Sequence, residues 1–338
     1  MAETELYDIA ILGAGPAGLA AGLYAGRDRY RTLILEKNGL PGGQIMLTEG
    51  VENYPGYTHV SGPELIEHMA DQARAFGADL RTGEDVTALR RDEDGAFTIT
   101  TNDGDTTHRA RALILAPGSE YRRLGVPGED ALRQMGKVSY CATCDGAFYR
   151  DKHVLTVGGG NTAVEDTIYL ATRFTAKTTM IHRRSEFRAQ AVLVEELYKH
   201  ADEHNIDIRL PYVLEAIVPT DDGTAIDHVV IRNTATEDRE SLQVDGVFVF
   251  VGMNPNTAFL RGFVEINELG YIKCDPVFLR TSTPGVFVAG DCRTRAMMQL
   301  ATATADGVTA AMLVKEYFRD PHWWETDRLV PEQEALGW

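Results

Sequence analysis

Four cysteines in 338 residues are too few for a secreted scaffold held together by disulfides. Positive charge is also in deficit, with 33 Lys and Arg against 50 Asp and Glu. The formal charge of −17 argues against nucleic acid as a partner, because phosphates call for a basic surface. No apolar run approaches the roughly 20 residues needed to cross a bilayer, and the opening Met1-Ala-Glu-Thr-Glu lacks the basic start of a signal peptide. No membrane partner is therefore expected, and the cytoplasm is the expected location. Tryptophan is scarcest: all three, Trp323, Trp324 and Trp338, fall within residues 319–338. Glycine, in contrast, is plentiful at 32 residues, beside a hydrophobic content of 44%, as in a folded α/β protein. The length suggests two domains, each able to bury its own core.

The glycines concentrate in two settings. In the first, the apolar run Tyr7–Leu12 leads into Gly13-Ala14-Gly15-Pro16-Ala17-Gly18, then a helical stretch from Pro16 to Tyr24 and a second apolar run, Thr32–Leu35, ending at Glu36. Strand, glycine turn, helix, strand and acid together form a dinucleotide fingerprint. The first glycine makes the turn, the second admits a pyrophosphate to the backbone, the third lets helix and sheet close up, and the acid bonds a ribose hydroxyl. The glycine pair Gly42-Gly43, with the amides of Gln44 and Asn53, suits close approach to a flat ligand. A helix is predicted from Pro63 to about Phe76, and a hairpin or small meander over Arg90–Arg109.

The second setting is the strand His153–Val157, the turn Gly158-Gly159-Gly160-Asn161-Thr162-Ala163, a helix, and the strand Thr178–Ile181. Here the strand ends in His182-Arg183-Arg184, with Arg188 close behind, where the first unit has an acid. Arginines at that place suit a 2′-phosphate through bidentate, charge-assisted bonds. Between the two units lies Cys141-Ala142-Thr143-Cys144-Asp145. One thiol of such a pair attacks and the other resolves, so the pair carries two electrons, and the adjacent carboxylate can move a proton. Zinc would need four ligands, and neither a second CxxC nor a His pair at ligand spacing is expected to supply them, so no metal is anticipated. Cys274 and Cys292 read as buried thiols. Further on, β-rich sequence runs from Ile206 to Phe250, Gly285–Gly290 forms a last strand before Asp291, and a helix is predicted over Gln299–Val314.

As a set, Gly13–Gly18, Gly42-Gly43-Gln44, Cys141–Gly146, Gly158–Ala163, His182-Arg183-Arg184 with Arg188, and Pro284–Asp291 resemble the low-molecular-weight thioredoxin reductases, flavoprotein disulfide reductases of bacteria, archaea and plants. The resemblance runs to about Phe318. It implies an α/β fold of two Rossmann-like dinucleotide-binding domains with three-layer ββα architecture, the NADPH domain being inserted into the FAD domain. The expected bounds are 1–117 and 246–318 for FAD, 118–245 for NADPH and the redox pair, and 319–338 for a tail. FAD is implied at Gly13, Gly15, Pro16, Ala17, Gly18, Glu36 and Lys37, at Gly43, Gln44, Asn53 and Val86, and at Asp291, Gln299, Leu300 and Ala301. NADPH is implied at Gly158, Gly160, Asn161, Thr162, His182, Arg183, Arg184 and Arg188. Cys141 and Cys144 would be the catalytic disulfide, with Cys144 facing the flavin and Asp145 exchanging protons. A homodimer, thioredoxin as acceptor, and rotation about hinges near Pro117-Gly118 and Asp245 are implied as well.

The departures lie near the end. The family commonly has Tyr-Arg-Gln before the last helix, whereas this chain has Met297-Met298-Gln299, and its tail is longer. Trp323 and Trp324 are expected to dock on the first domain, and Trp338 is a candidate to stack on a flavin. Two other readings use the same motifs. One is a same-fold disulfide reductase fed by ferredoxin or flavodoxin, or serving another redoxin. The other is a non-catalytic flavin-binding redox sensor. Retention of both the CxxC and the arginines favours NADPH-dependent reduction of thioredoxin.

Overall fold

The computed structural model describes residues 5–48 and 50–325, so Trp338 lies outside the described residues. The chain divides into two compact units, one formed by residues up to Glu120 together with those from Asn254, the other by Tyr121–Met253. In chain order the first segment carries β1 (Leu6–Leu12), α1 (Pro16–Arg27), β2 (Thr32–Glu36), α2 (Gly62–Ala75), β3 (Asp79–Thr82), β4 (Val86–Arg91), β5 (Phe97–Thr101), β6 (Thr106–Leu115) and β7 (Ser119–Tyr121). The middle adds α3 (Glu129–Gln134), β8 (Val138–Ser139), α4 (Ala142–Asp145), β9 (His153–Gly158), α5 (Asn161–Arg173), β10 (Lys177–Ile181) and α6 (Ala191–Glu203). It continues through β11 (Ile206–Arg209), β12 (Tyr212–Pro219), β13 (Ile226–Asn233), β14 (Arg239–Leu242) and β15 (Gly246–Phe250). The return brings β16 (Met253–Pro255), β17 (Val286–Val288) and α7 (Leu300–Arg319).

In the first unit β3, β2, β1, β6 and β17 run parallel, with Ile11 opposite Ile34 on one side and Ile114 on the other. β6 is long enough to take two partners along the edge opposite β1, since its first half pairs antiparallel with β5, and β5 with β4, while its end pairs with β17. Strand side chains alternate between faces, and both faces of β1 are buried. Ile9 and Ile11 pack with the helices, whereas Ala10 and Leu12 join Phe97 and Ile99 beneath the antiparallel strands. The helices start where the sequence provides for it: Pro16 opens α1, and the Ser61 hydroxyl caps α2 by accepting from Glu64 N at 3.2 Å.

α1 and α7 touch through glycine. A Cβ on Gly307 would lie 2.0 Å from the carbonyl oxygen of Ala17, and one on Gly18 would lie 1.9 Å from that of Gly13. Gly307→Ala therefore tests this contact. Alanine favours a helix by about 1 kcal/mol, but overpacking against immovable backbone costs up to about 3 kcal/mol. We expect a net loss of about 2 kcal/mol in denaturant unfolding, the difference of those two effects. Gly39→Ala, where nothing lies within 4 Å, should leave stability unchanged.

The second unit repeats the plan. β11, β10, β9, β15 and β8 form a parallel sheet, covered on one face by α5 and α6 and on the other by the antiparallel β12–β13–β14. The strand Gly246–Phe250 belongs here, because it pairs along the length of β9. This differs from the expected handover at Asp245; pairing with β9 keeps the segment in the second unit to Met253. In the first unit Trp323 is buried against Phe278 and Phe287, and Trp324 stands edge-on to Phe287 at 4.9 Å and to Tyr317 at 5.5 Å.

Candidate active site

The redox pair sits at the junction of β8 and α4. Cys141 and Cys144 are joined by a disulfide, with their Cα atoms 5.3 Å apart. The amide of Cys144 donates to the Cys141 sulfur at 3.2 Å, so a thiolate formed at Cys141 would meet a ready donor. Ser139, two residues upstream and buried, organises the turn. Its hydroxyl accepts from Cys141 N at 3.1 Å and donates to Asp145 Oδ2 at 2.6 Å. Burial pushes the Asp145 carboxyl above the ordinary aspartate range, and the Ser139 bond pulls in the opposite direction. The same burial, with Asp145 and Asp245 adding to it, raises the neighbouring Tyr149 phenol. Cys292 is fully buried and Cys274 only half-buried, against the expectation that both are buried; burial raises both thiols.

In the first unit the Gly13–Gly18 turn, the Gly42-Gly43 loop, the loop carrying Asp291 and the start of α7 come together past the C-terminal ends of β1, β2 and β17. Gly13 has φ 110°, and a Cβ there would lie 2.2 Å from Ala116 O. Gly15 ends the turn in extended backbone with no side chain capping α1, leaving first-turn amides open to an anion. Gly42 N donates to Ala14 O at 2.9 Å, and a Cβ on Gly43 would lie 3.8 Å from Gly15 Cα, which brings the second loop onto the first. Pro16 and Ala17 form the first turn of α1. A Cβ on Gly290 would lie 3.1 Å from that of Ala17 and 3.7 Å from that of Ala303, so the loop carrying Asp291 lies against the starts of both α1 and α7. Gln299, Leu300 and Ala301 occupy the start of α7, where again no side chain caps the helix.

The side chains here hold unused polar atoms. Asp291 Oδ1 and Gln44 Oε1 are shielded from solvent without a hydrogen-bond partner among the described residues, while Gln44 Nε2 donates to Ser119 O. Burial, with Asp306 adding to it, pushes the Asp291 carboxyl up to about 6. Glu36 is buried and accepts from Ala14 N at 2.8 Å and Asn38 N at 3.0 Å, which fixes the turn and the end of β2 together. Such orphaned acceptors beside an open helix start suit a ligand rich in hydroxyl and amide groups. Lys37 pairs with Asp85 at 3.0 Å, Val86 is buried in β4, and Asn53 is exposed. No sequence pattern points to Arg293, which grips Asp306 of α7 through two bonds of 2.6 and 2.8 Å; Asp306 Oδ2 also accepts from Gly290 N at 2.9 Å.

The second unit has an equivalent turn. A Cβ on Gly158 would lie 2.5 Å from both Ala163 Cβ and Phe250 O, and Gly160 leads into α5 with no side-chain cap. Asn161 Oδ1 accepts from Gln190 N at 2.9 Å and Arg188 N donates to Gly159 O at 2.7 Å, tying the arginine loop to the turn. Thr162, Arg183, Arg184 and Arg188 are exposed, and none of the three arginines forms an ion pair among the described residues. His182 is different. Its ring is buried, stacks on Phe187 with centroids 5.8 Å apart, and would lie 2.3 Å from a Cβ on Gly159. Burial first, then the nearby arginines, lower its basicity, and the ring fills the space against Gly159.

The chain is similar to known proteins over nearly its whole length. The pyridine nucleotide-disulphide oxidoreductase profile matches residues 7–307. A thioredoxin reductase of Treponema pallidum is 43% identical over 93% of this chain and 98% of its own length, and one of Bacillus subtilis is 39% identical over 95% and 97%. The crystal structure of thioredoxin reductase from Streptococcus pyogenes aligns over 94% of this chain and 99% of its own, with a TM-score of 0.86 at 38% identity.

Proposed function

Because this chain belongs to the pyridine nucleotide-disulphide oxidoreductases, we propose that it is an NADPH-dependent reductase of a thioredoxin disulfide, working through Cys141 and Cys144. FAD is assigned to the first unit and NADPH to the second, with a homodimer in the cytoplasm as the working form. The observation that carries this reading is a disulfide at a helix start beside a buried carboxyl, in a chain with two glycine turns of dinucleotide type. Bound flavin and nicotinamide supply hydride chemistry that no side chain offers. The overall step balances: NADPH and one proton give NADP⁺, and the redoxin disulfide takes up two electrons and two protons. Cys141, assisted by the Cys144 amide, attacks the redoxin disulfide, and Cys144 resolves the mixed disulfide. Asp145 hands the departing redoxin thiolate its proton, held in position by Ser139. Anaerobic NADPH should bleach the flavin absorbance, and oxidised thioredoxin should restore it. Bleaching without restoration would overturn the assignment of the acceptor.

Asp145→Asn isolates the proton step. The rate of reoxidation by thioredoxin should fall about 10²-fold, the lower range for losing a general acid. The wild-type rate should also decline as pH rises through the raised carboxyl pKa, a limb the variant lacks. The stability effect has a definite sign. A carboxyl whose pKa is raised by folding binds its proton more tightly in the native state. Its contribution is present at low pH and is lost as pH rises through the raised value. Unfolding midpoints across that window should slope down in the wild type and less so in Asp145→Asn.

A further inference from the structure

We propose that the last turn of α6, with His204 just past its end, is a binding site for a divalent transition-metal ion, distinct from the redox site and independent of the reaction proposed above. His200, Glu203 and His204 each present one ligand atom there, and these atoms all lie within 4.8 Å of one another. His200 and His204 are four residues apart, the helical spacing that stacks two side chains on one face, and their rings are 5.3 Å apart. They are a His pair at ligand spacing after all, which the expectation of no metal overlooks.

The two nitrogens of His200 have separate surroundings. Nδ1 is shielded from solvent, makes no hydrogen bond among the described residues, and lies 4.0 Å from Glu203 Oε2. Nε2 lies 3.9 Å from Glu196 Oε1, one turn back. A ligating imidazole usually gives its other N–H to a carboxylate, and Glu196 is placed for that role with Nδ1 on the metal. Ligands at about 2.0–2.2 Å from a tetrahedral ion lie about 3.4 Å apart, so the three side chains need to draw in by about 1 Å. The Glu203 side chain, 61% exposed, is free to make that movement. The carbonyl end of a helix favours a cation, and Glu196 and Glu203 add negative charge beside it. Two imidazoles and one carboxylate favour Zn²⁺, Ni²⁺ or Cu²⁺ over Mg²⁺ or Ca²⁺.

Zn²⁺ titrated calorimetrically into the untagged, flavin-loaded, oxidised enzyme tests the site. One saturable equivalent per chain is expected, undiminished by excess Mg²⁺. The paired change His200→Asn with His204→Gln should remove that event, with flavin absorbance and unfolding midpoint checked to be those of the wild type. Glu196→Gln should weaken it about tenfold, the scale for an outer carboxylate. The wild type also gives a test that needs no variant: its one-equivalent Cu²⁺ complex should show hyperfine coupling to two nitrogens by electron paramagnetic resonance. No saturable Zn²⁺ event, an unchanged event in the paired variant, or a Cu²⁺ spectrum without nitrogen coupling would each overturn the site.

Discussion

With Cys141 and Cys144 both replaced by serine, NADPH-driven reduction of thioredoxin stops while flavin reduction by NADPH continues. The expected loss is on the order of 10³-fold or more, the scale for removing a nucleophile that works as a unit with its partners. A hydroxyl cannot form the mixed disulfide or hold two electrons as a dithiol. Either single substitution should cost nearly as much as both, because attack without resolution leaves the redoxin attached. No other thiol can stand in: Cys292 is fully buried with its thiol raised by burial, and Cys274 is raised in the same way. The glycine turns belong to other elements, so nucleotide binding should survive. Stopped-flow traces at the flavin band separate the two half-reactions. Sustained thioredoxin turnover by the double variant would refute the assignment.

Arg183→Ala combined with Arg184→Ala should cut kcat/KM for NADPH by tenfold or more and leave NADH nearly unaffected. Losing one hydrogen bond to a charged group costs about 1.5–3 kcal/mol, and every 1.4 kcal/mol is a factor of ten. These arginines are exposed and form no ion pair among the described residues, so the 2′-phosphate has no rival for them. His182 should not be counted with them. Its buried ring supports Gly159 from below, so a substitution there would lower protein stability and harm use of both nucleotides. Equal losses for NADPH and NADH in the arginine variant would mean that Arg183 and Arg184 shape the loop and bind no phosphate.

What could be read from the sequence follows from where the chemistry leaves no freedom. Gly13 and Gly18 are legible because a side chain at either would strike backbone, and so the glycines recur at fixed spacing. The two cysteines are legible because a disulfide across one turn needs that interval. Ser139 is not, since its value lies in a hydroxyl brought to 2.6 Å from Asp145 by the turn between β8 and α4. Arg293 and Asp306 meet only because α7 packs back against the strand edge, a contact that no local pattern announces. The place of β15 depends on its partner β9, and an apolar run looks the same whichever sheet receives it.

The same split of the chain sets an order of events on the ribosome. β6 emerges with its apolar edge unmatched, and its neighbour β17 follows about 170 residues later, roughly 10–30 s at ordinary synthesis rates. α1 waits longer still for α7. The second unit, whose strands all lie between those two points, has its full sequence in hand well before then. The nascent protein therefore completes its middle first, and its earliest-made strands are the last to find all their partners. Premature termination after Met253 would leave a finished second unit beside a half-built sheet, the kind of open edge that chaperones and proteases act upon.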